Sequence, residues 1–273
     1  MITSAENKQL KHVVQLNTKT KARKKAGLFV VEGIKMFLEA PMNLIEKVYV
    51  SESFFTSDEG KEVLNEKDPD RFGKEGEGLE VVTDRLFLQM SDTLTPQGVL
   101  TLVRKIEWNF EDLFPKDGRK PLILVLDGLQ DPGNLGTIIR TGEGAGVTGV
   151  VMSQDTVDIT NPKTIRATMG SIYRIPQIIS DDLLRDIDRL KERGIRSFAA
   201  HLKGERNFFC EDYQQGVAFL IGNEGNGLRD EVADKADCYV RIPMDGEVES
   251  LNAAIAASVM MYECKRQRMV NKD

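Results

Sequence analysis

The sequence is poor in the features that mark membrane proteins, disulfide-bonded domains and zinc sites. No apolar run is long enough to cross a bilayer, and Glu6, Lys8 and Lys11 interrupt the apolar stretch that a secretory signal would require. The 3 cysteines lack Cys-x-x-Cys spacing and clustered histidines, which argues against a disulfide framework and a metal site. We therefore expect a globular, cytoplasmic protein with no membrane partner and no metal.

The glycine-rich loops also lack two common nucleotide-binding motifs. The glycine-rich stretches 131–146 and 221–228 do not have the G-x-G-x-x-G spacing of dinucleotide-binding folds. The Gly-Lys-Ser/Thr sequence of a phosphate-binding P-loop is absent from the chain. These absences disfavour a nicotinamide cofactor and a nucleoside triphosphate.

Basic residues are fewer than acidic residues overall, but they are concentrated at the amino-terminal end of the chain. The 273 residues include 37 Lys and Arg against 43 Asp and Glu, a balance that argues weakly against a nucleic-acid partner. Residues 1–40 nevertheless hold eight Lys and Arg against three Glu. Residues 58–80 hold nine acidic against four basic side chains, with Gly and Pro interspersed, and we interpret them as a long solvated loop.

The first hundred residues are predicted to form a small α/β domain. Thr3 and Glu6 fit a capping box ahead of an apolar helix face. Short β-rich runs at 28–32, 47–50, 79–82 and 98–103 are separated by helical patterns. Residues 105–119 lose this periodicity and contain Pro and Gly, so we place a linker there between domains 1–104 and 120–273.

The second domain is predicted to be built on a mainly parallel sheet with helices on both faces. Six apolar runs recur at 122–126, 149–152, 175–179, 196–200, 217–221 and 238–242. Most are separated by helical or glycine-rich segments, notably 134–145, 183–193 and 250–266. Ligands bind such sheets at the carboxyl ends of strands. We therefore expect the site at the loops 131–146, 221–228 and 242–252.

The motifs in these three loops resemble those of a known family. "DPGNLGTIIRTGEGAGV", "LIGNEGNGL" and "RIPMDGEVESLNAAIAASVMMYE" closely resemble the signature motifs of the SpoU (TrmH-like) branch of the SPOUT methyltransferases. "LFVVEGIKMFLEA" and "LTPQGVLTLV" resemble the small amino-terminal, L30e-like substrate-binding domain of many members. The resemblance implies methyl transfer from S-adenosylmethionine to a ribose 2′-hydroxyl of RNA, a deep trefoil knot in the carboxyl-terminal sheet and a homodimer.

The resemblance also implies which residues form the site. The positions that match the catalytic set are Arg140, Asn134, Glu224, Ser250 and Asn252. Those that match the cofactor-binding set are Gly222, Ile242, Leu251, Ala200 and Ile221. The basic cluster of the amino-terminal domain fits an RNA-holding role, and its members are Lys21, Arg23, Lys24 and Lys25.

Each assignment has a structural alternative. Arg140 could be a solvated helix residue, Glu224 a loop acid that caps a helix near Leu228, and Ser250 an ordinary cap of the last helix. Within the catalytic reading, the pKa of an arginine above ~12 makes a neutral guanidine costly. We therefore expect Arg140 to grip the phosphate beside the reacting hydroxyl and to stabilise the developing alkoxide.

The substrate class is left with alternatives. Among relatives, the small amino-terminal domain is associated with ribosomal RNA, so 23S rRNA is the expected substrate. A tRNA 2′-O-methyltransferase of the same fold is the first alternative. The second is an RNA-binding protein that keeps the fold but has lost methyl transfer, against which the intact set of matched polar residues argues.

Overall fold

The chain folds into two compact units in a computed structural model that describes residues 1–74, 76, 78–202, 204 and 206–270. One unit comprises Met1–Glu107 and Asp158–Tyr173, and the other comprises Trp108–Val157 and Arg174–Asp273. The first break falls inside the segment 105–119, while residues 158–173 pack with the first unit although they follow the segment 120–157 in the chain. No helix in the described part of the chain is long and apolar enough to span a membrane.

The first unit is built on a four-stranded sheet in the order β1-β4-β2-β3. Strand β4 is antiparallel to both neighbours, and β2 is parallel to β3. The strands are β1 (Leu28–Glu32), β2 (Ile45–Ser51), β3 (Leu79–Val82) and β4 (Val99–Arg104). The helices are α1 (Lys8–Thr18), α2 (Thr20–Ala26), α3 (Ile34–Glu39), α4 (Glu52–Thr56), α5 (Asp58–Lys67), α6 (Pro69–Phe72) and α7 (Asp84–Met90). Buried side chains of α1 and α7 pack with those of β1, β2 and β4 in one core.

The opening helix starts later than the capping-box pattern predicts. Helix α1 begins at Lys8, and its N-cap is Asn7, whose Oδ1 accepts the backbone N–H of Gln9 at 2.8 Å. The predicted capping box of Thr3 and Glu6 is therefore wrong. Residues 3–6 lie before the helix: Ile2 pairs with Val82 at the edge of the sheet, and the chain then turns, with the backbone N–H of Asn7 donating to the carbonyl of Ser4 at 3.2 Å.

The acidic stretch 58–80 is not a loop, and that prediction is wrong. Helices α5 and α6 occupy most of it, while Glu75 and Glu77 lie outside the described residues. Val63 and Leu64 are buried, and the ring of Phe72 packs edge-on against Phe37 with centroids 5.5 Å apart. These few apolar side chains anchor helices whose remaining surface is charged and exposed.

The second unit is built on a seven-stranded sheet in the order β7-β6-β5-β10-β8-β11-β9, and every strand pair in it is parallel. Its strands are β5 (Leu122–Leu126), β6 (Gly149–Met152), β7 (Gln177–Ile179), β8 (Arg196–Ala200), β9 (Arg206–Asn207), β10 (Val217–Ile221) and β11 (Cys238–Arg241). The remaining helices are α8 (Pro132–Ala145), α9 (Pro162–Thr168, in the first unit), α10 (Leu183–Glu192), α11 (Asp230–Ala233) and α12 (Ala253–Val270). The mainly parallel sheet and its six predicted strands are confirmed, and β9 is an additional short strand.

Helices cover both faces of this sheet, as alternation along β10 shows. Ala218 and Leu220 belong to a core that includes α10 and α11 side chains. Phe219 points to the opposite face, where its ring lies 5.1 Å from that of Tyr213. The backbone N–H of Tyr213 donates to Gln267 of α12, and α12 packs along α8. The crossover helices therefore leave the carboxyl ends of the strands as the accessible edge.

Candidate functional site

The site is formed where neighbouring strands end. Leu126, the last residue of β5, pairs with Ile221, the last residue of β10. Because the two strands are parallel, the loops that follow them leave the same edge of the sheet. The loop after β5 leads into α8, and Asp131 caps that helix by accepting the backbone N–H of Asn134 at 2.7 Å. Pro132 follows at the first helical position, where the lack of an N–H costs nothing.

Asn134 joins the three loops. Its Nδ2 donates to Glu224 Oε1 at 3.0 Å, and its Oδ1 accepts from Asn252 Nδ2 at 3.0 Å. Asn134 lies at the start of α8, Glu224 in the loop after β10, and Asn252 just before α12. The structure therefore brings three of the five predicted catalytic residues into one hydrogen-bonded chain.

Glu224 holds the loop that precedes α8. Besides Asn134, its carboxylate accepts the backbone N–H groups of Gln130 at 3.0 Å and Asp131 at 2.9 Å. Partial burial alone would raise the pKa of Glu224, but these hydrogen bonds outweigh it and keep the pKa below the ordinary value of a glutamate. With both oxygens engaged, Glu224 orders the site as an anion. The alternative in which it caps a helix near Leu228 is not observed.

The last helix is capped by Asn252. Helix α12 begins at Ala253, and Asn252 Oδ1 accepts the backbone N–H of Ala254 at 2.9 Å. The predicted helix start at residue 250 and the capping role of Ser250 are therefore wrong. Ser250 is exposed and lies on the wall of the cavity described below, which leaves its hydroxyl accessible.

Arg140 is placed differently from the other four residues. It lies in α8, six residues after Asn134, and its side chain is exposed. Its guanidinium forms no hydrogen bond or ion pair with another described residue, so its five donors remain available to an anion from solution. The structure does not join Arg140 directly to Glu224.

A cavity of about 600 Å³ opens beside this network. It is lined by all five residues predicted to bind cofactor, together with Glu224 and Ser250. Ile221 and Gly222 are buried, and Ile242 and Leu251 are partly buried. The walls thus combine aliphatic side chains with the main chain of the loop 222–228, a lining typical of sites for small organic molecules.

Gly222 is required by close packing within the loop. A Cβ atom at this position would lie 2.1 Å from the carbonyl carbon of Gly227 and 2.1 Å from the nitrogen of Leu228. Backbone N–H groups of Asn223 and Gly227 each donate to the carbonyl of the other at 3.0 Å. Residues 222–228 therefore form a tight turn that folds back on itself and presents main chain to the cavity.

Comparison with known proteins identifies the family. Residues 121–262 match the sequence profile of the SpoU rRNA Methylase family. The chain belongs to the SpoU rRNA methylase family. Residues 7–101 match a second profile, the MRM3-like substrate binding domain. The family resemblance inferred from the three motifs is therefore confirmed, and so is the presence of an amino-terminal substrate-binding domain.

Full-length relatives of this SpoU methylase agree with the profiles. An uncharacterized tRNA/rRNA methyltransferase of Synechocystis sp. is 34% identical over 98% of this chain and 94% of its own length. The Bacillus subtilis 23S rRNA (guanosine(2553)-2′-O)-methyltransferase RlmP is 32% identical over 97% of this chain and 98% of its own length. A crystal structure of an AdoMet-bound rRNA methyltransferase from Sinorhizobium meliloti matches with a TM-score of 0.82 at 30% identity and 97% coverage of both chains. SpoU family members are S-adenosylmethionine-dependent RNA methyltransferases.

The basic cluster of this SpoU methylase is only partly on the surface. Lys21, Lys24 and Lys25 are exposed on α2. Arg23 is 4% exposed, and its guanidinium pairs with Asp158 Oδ2 at 2.7 Å. The prediction that Arg23 belongs to an exposed RNA-binding patch is therefore wrong, because within the first unit its charge is used to hold α2 against residue 158.

Two polar residues of the SpoU site were missed from the sequence. Asp131 caps α8, and Asn223 Nδ2 donates to the carbonyl of Gly128 at 2.8 Å, which ties the loop after β10 to the loop after β5. The Asp-Pro pair at 131–132 is a helix-start signal that identifies the first. The role of Asn223 depends on a partner 95 residues away, which no local pattern reveals. Among the described residues, no cluster of His, Cys, Asp and Glu could hold a metal ion.

Proposed function

We propose that this protein transfers a methyl group from S-adenosylmethionine to a ribose 2′-hydroxyl in 23S rRNA. The observation that carries the proposal is the Glu224–Asn134–Asn252 chain, which assembles the three motif loops beside the cavity. The name of the Bacillus subtilis relative supports both the 2′-O position and the substrate class. The activity implies a cytoplasmic site of action.

The cavity suits S-adenosylmethionine in size and lining. Its volume of about 600 Å³ lies within the range of small-molecule sites. Ile221, Ile242 and Leu251 offer apolar surface for an adenine ring, and the turn around Gly222 offers backbone donors and acceptors. When bound, the cofactor supplies a methyl group activated by a positively charged sulfur.

The polar residues of the site orient the ribose 2′-hydroxyl and stabilise the negative charge that develops on its oxygen. Asn134 is held on both sides by Glu224 and Asn252, so its orientation is set before RNA binds. The free guanidinium of Arg140 grips the phosphate next to the target ribose and stabilises the oxygen as its proton leaves. The O2′–CH3 bond forms as the S–CH3 bond breaks, and the hydroxyl proton passes to solvent.

The first unit holds the RNA in this proposal. Its match to a substrate-binding domain supports the assignment, and the three exposed lysines of α2 supply positive charge for phosphates. Because Arg23 is buried, the proposed contact surface consists of Lys21, Lys24 and Lys25.

A knotted carboxyl-terminal region and a homodimer are part of the same proposal. The family resemblance implies both. The dimer is further supported by apolar side chains at seven-residue spacing along α12, since Ile255, Tyr262 and Met269 are 50%, 48% and 60% exposed.

We expect Ile255→Asp with Tyr262→Asp to shift the sedimentation mass from dimer to monomer. Ile179→Asp, at an exposed apolar residue of β7, should not. A monomeric wild type would contradict the dimer.

Methyl transfer by the purified protein tests the proposal. The protein is incubated with radiolabelled S-adenosylmethionine and either 23S rRNA or tRNA from cells that lack the gene, and the RNA is digested to nucleosides. Label in a 2′-O-methylnucleoside from 23S rRNA is the expected result. Label in a base would refute the ribose assignment, label in tRNA would refute the substrate, and no label in either would leave the RNA-binding alternative.

A further inference from the structure

Asp127 and Arg229 form an ion pair outside the Glu224–Asn134–Asn252 chain. Asp127 directly follows β5 and is 2% exposed, and Arg229 directly follows the loop 222–228. Arg229 Nε and Nη2 donate to Asp127 Oδ1 at 2.8 and 2.5 Å. The backbone N–H of Arg229 donates to Asp127 Oδ2 at 3.0 Å. One buried carboxylate therefore holds both the side chain and the main chain of Arg229.

The pair fixes one end of a loop whose other end is anchored separately. On the amino-terminal side, Asn223 bonds the carbonyl of Gly128, and Glu224 bonds the amides at 130 and 131. On the carboxyl-terminal side, Arg229 bonds Asp127. Residues 225–228 lie between these anchors and form part of the cavity wall. Both ends of this wall are thus attached to the chain that leaves β5.

We infer that Asp127 and Arg229 are positioning residues, which hold residues 225–228 of the cavity wall in their binding conformation before the cofactor binds. The inference rests on the proposed function. A wall that is ordered before binding does not lose its conformational freedom on binding, so the affinity for the ligand is higher. The hydrogen bonds that anchor Asn223 and Glu224 do not involve Arg229, so a change at Arg229 should affect cofactor affinity more than the arrangement of the catalytic groups.

Calorimetric titration of Arg229→Met with S-adenosylmethionine and S-adenosylhomocysteine tests the inference. Both ligands should bind about tenfold or more weakly than to wild type, while single-turnover methylation at saturating cofactor stays within a few fold. Arg229→Lys keeps the charge and the backbone N–H but loses the guanidinium fork, so its affinity should be intermediate. Asp127→Asn keeps the shape of the partner and should weaken binding in the same direction.

A matched ion pair in the same unit provides the control. Asp186 pairs with Arg189 Nη1 at 2.8 Å, with a buried carboxylate and a half-exposed arginine side chain, as in the first pair. Arg189→Met should lower the unfolding temperature comparably and leave cofactor affinity unchanged. Wild-type affinity in Arg229→Met, or equal weakening by Arg189→Met, would overturn the inference. A wild type that binds neither ligand would overturn the proposed function with it.

Discussion

The guanidinium of Arg140 is exposed and bonds no other described residue, whereas Asn134 and Glu224 use their polar atoms to hold each other. We expect Arg140→Ala to fold and to bind cofactor like the wild type. Single-turnover methylation at saturating cofactor and RNA should fall roughly 100- to 1000-fold, the usual cost of removing one donor to a developing negative charge.

The lysine variant separates charge from geometry at the same position. Arg140→Lys should recover little of the rate if the planar fork on the phosphate matters, and most of it if charge alone suffices. An alanine variant within a few fold of the wild-type rate would show that Arg140 is a surface residue. The mechanism would then have to be abandoned.

Glu224 gives the site a predicted dependence on pH. Because hydrogen bonds hold its pKa in the folded state below 4.5, its contribution to stability is complete above pH 4.5. This contribution is lost as pH falls through the lower folded-state pKa. Thermal unfolding of wild type and Glu224→Gln from neutral pH to about pH 3 should show a difference that is constant at neutral pH and shrinks in acid. Glu192→Gln is the control, at an exposed glutamate whose side chain makes no hydrogen bond to another described residue. A pH-independent difference for Glu224→Gln would contradict the assignment.

At the level of structural elements, the turn 222–228 depends on a missing side chain. Gly222→Ala places a Cβ 2.1 Å from main-chain atoms of Gly227 and Leu228, so the turn has to open. We expect a clearly lower unfolding temperature and loss of cofactor binding. Gly144→Ala in α8 is the control, because its Cβ would approach only the Tyr262 hydroxyl, at 3.2 Å, and alanine favours a helix by up to about 1 kcal/mol. Equal unfolding temperatures for the two variants would contradict the packing.

Helix α2 is the element proposed to contact RNA. Charge reversal at Lys21, Lys24 and Lys25 should weaken RNA binding and flatten its salt dependence, since fewer counterions are released. Cofactor affinity should not change. The triple reversal of Lys35, Lys61 and Lys74, exposed lysines of the first unit outside α2, changes net charge by the same amount and is the control. Binding measured across a salt series separates the outcomes, and equal effects of the two sets would show that α2 holds no specific RNA contact.

The sequence allowed the parallel sheet of the second unit to be predicted because its strands are apolar on both faces. Strands β5 and β10 are buried at every position, so a continuous apolar run marks each of them. Helix α5 was missed because only a few of its side chains are buried among many charged ones. The burial of Arg23 was missed because its partner Asp158 lies 135 residues away.

In the site, too, local motifs could be recognised from the sequence, whereas contacts between distant residues could not. The motif resemblance placed Asn134, Glu224 and Asn252 in one site, and the structure joins them. The resemblance did not show that both carboxylate oxygens of Glu224 accept hydrogen bonds, from Asn134 and from the backbone N–H groups that precede α8. It also did not show that Asn252, and not Ser250, caps α12. These details depend on how separate loops meet in space.

At the level of the whole molecule, two units match two different profiles. Residues 7–101 match a substrate-binding domain and residues 121–262 match the methylase family. The packing of residues 158–173 with the first unit means that one segment of the methylase profile belongs structurally to the substrate-binding unit. In the proposed function, the first unit holds the RNA and the second transfers the methyl group.

Mapping of ribose methylation in cellular RNA tests the central claim most directly. A 2′-O-methyl group prevents the hydroxyl from attacking the neighbouring phosphodiester, so methylated positions resist alkaline cleavage. The maps are compared for cells with the gene, cells without it, and cells without it that express wild type or Arg140→Ala. We predict that a protected position in 23S rRNA is lost without the gene, is restored by wild type and is not restored by Arg140→Ala. Identical 23S rRNA maps with and without the gene would contradict the account.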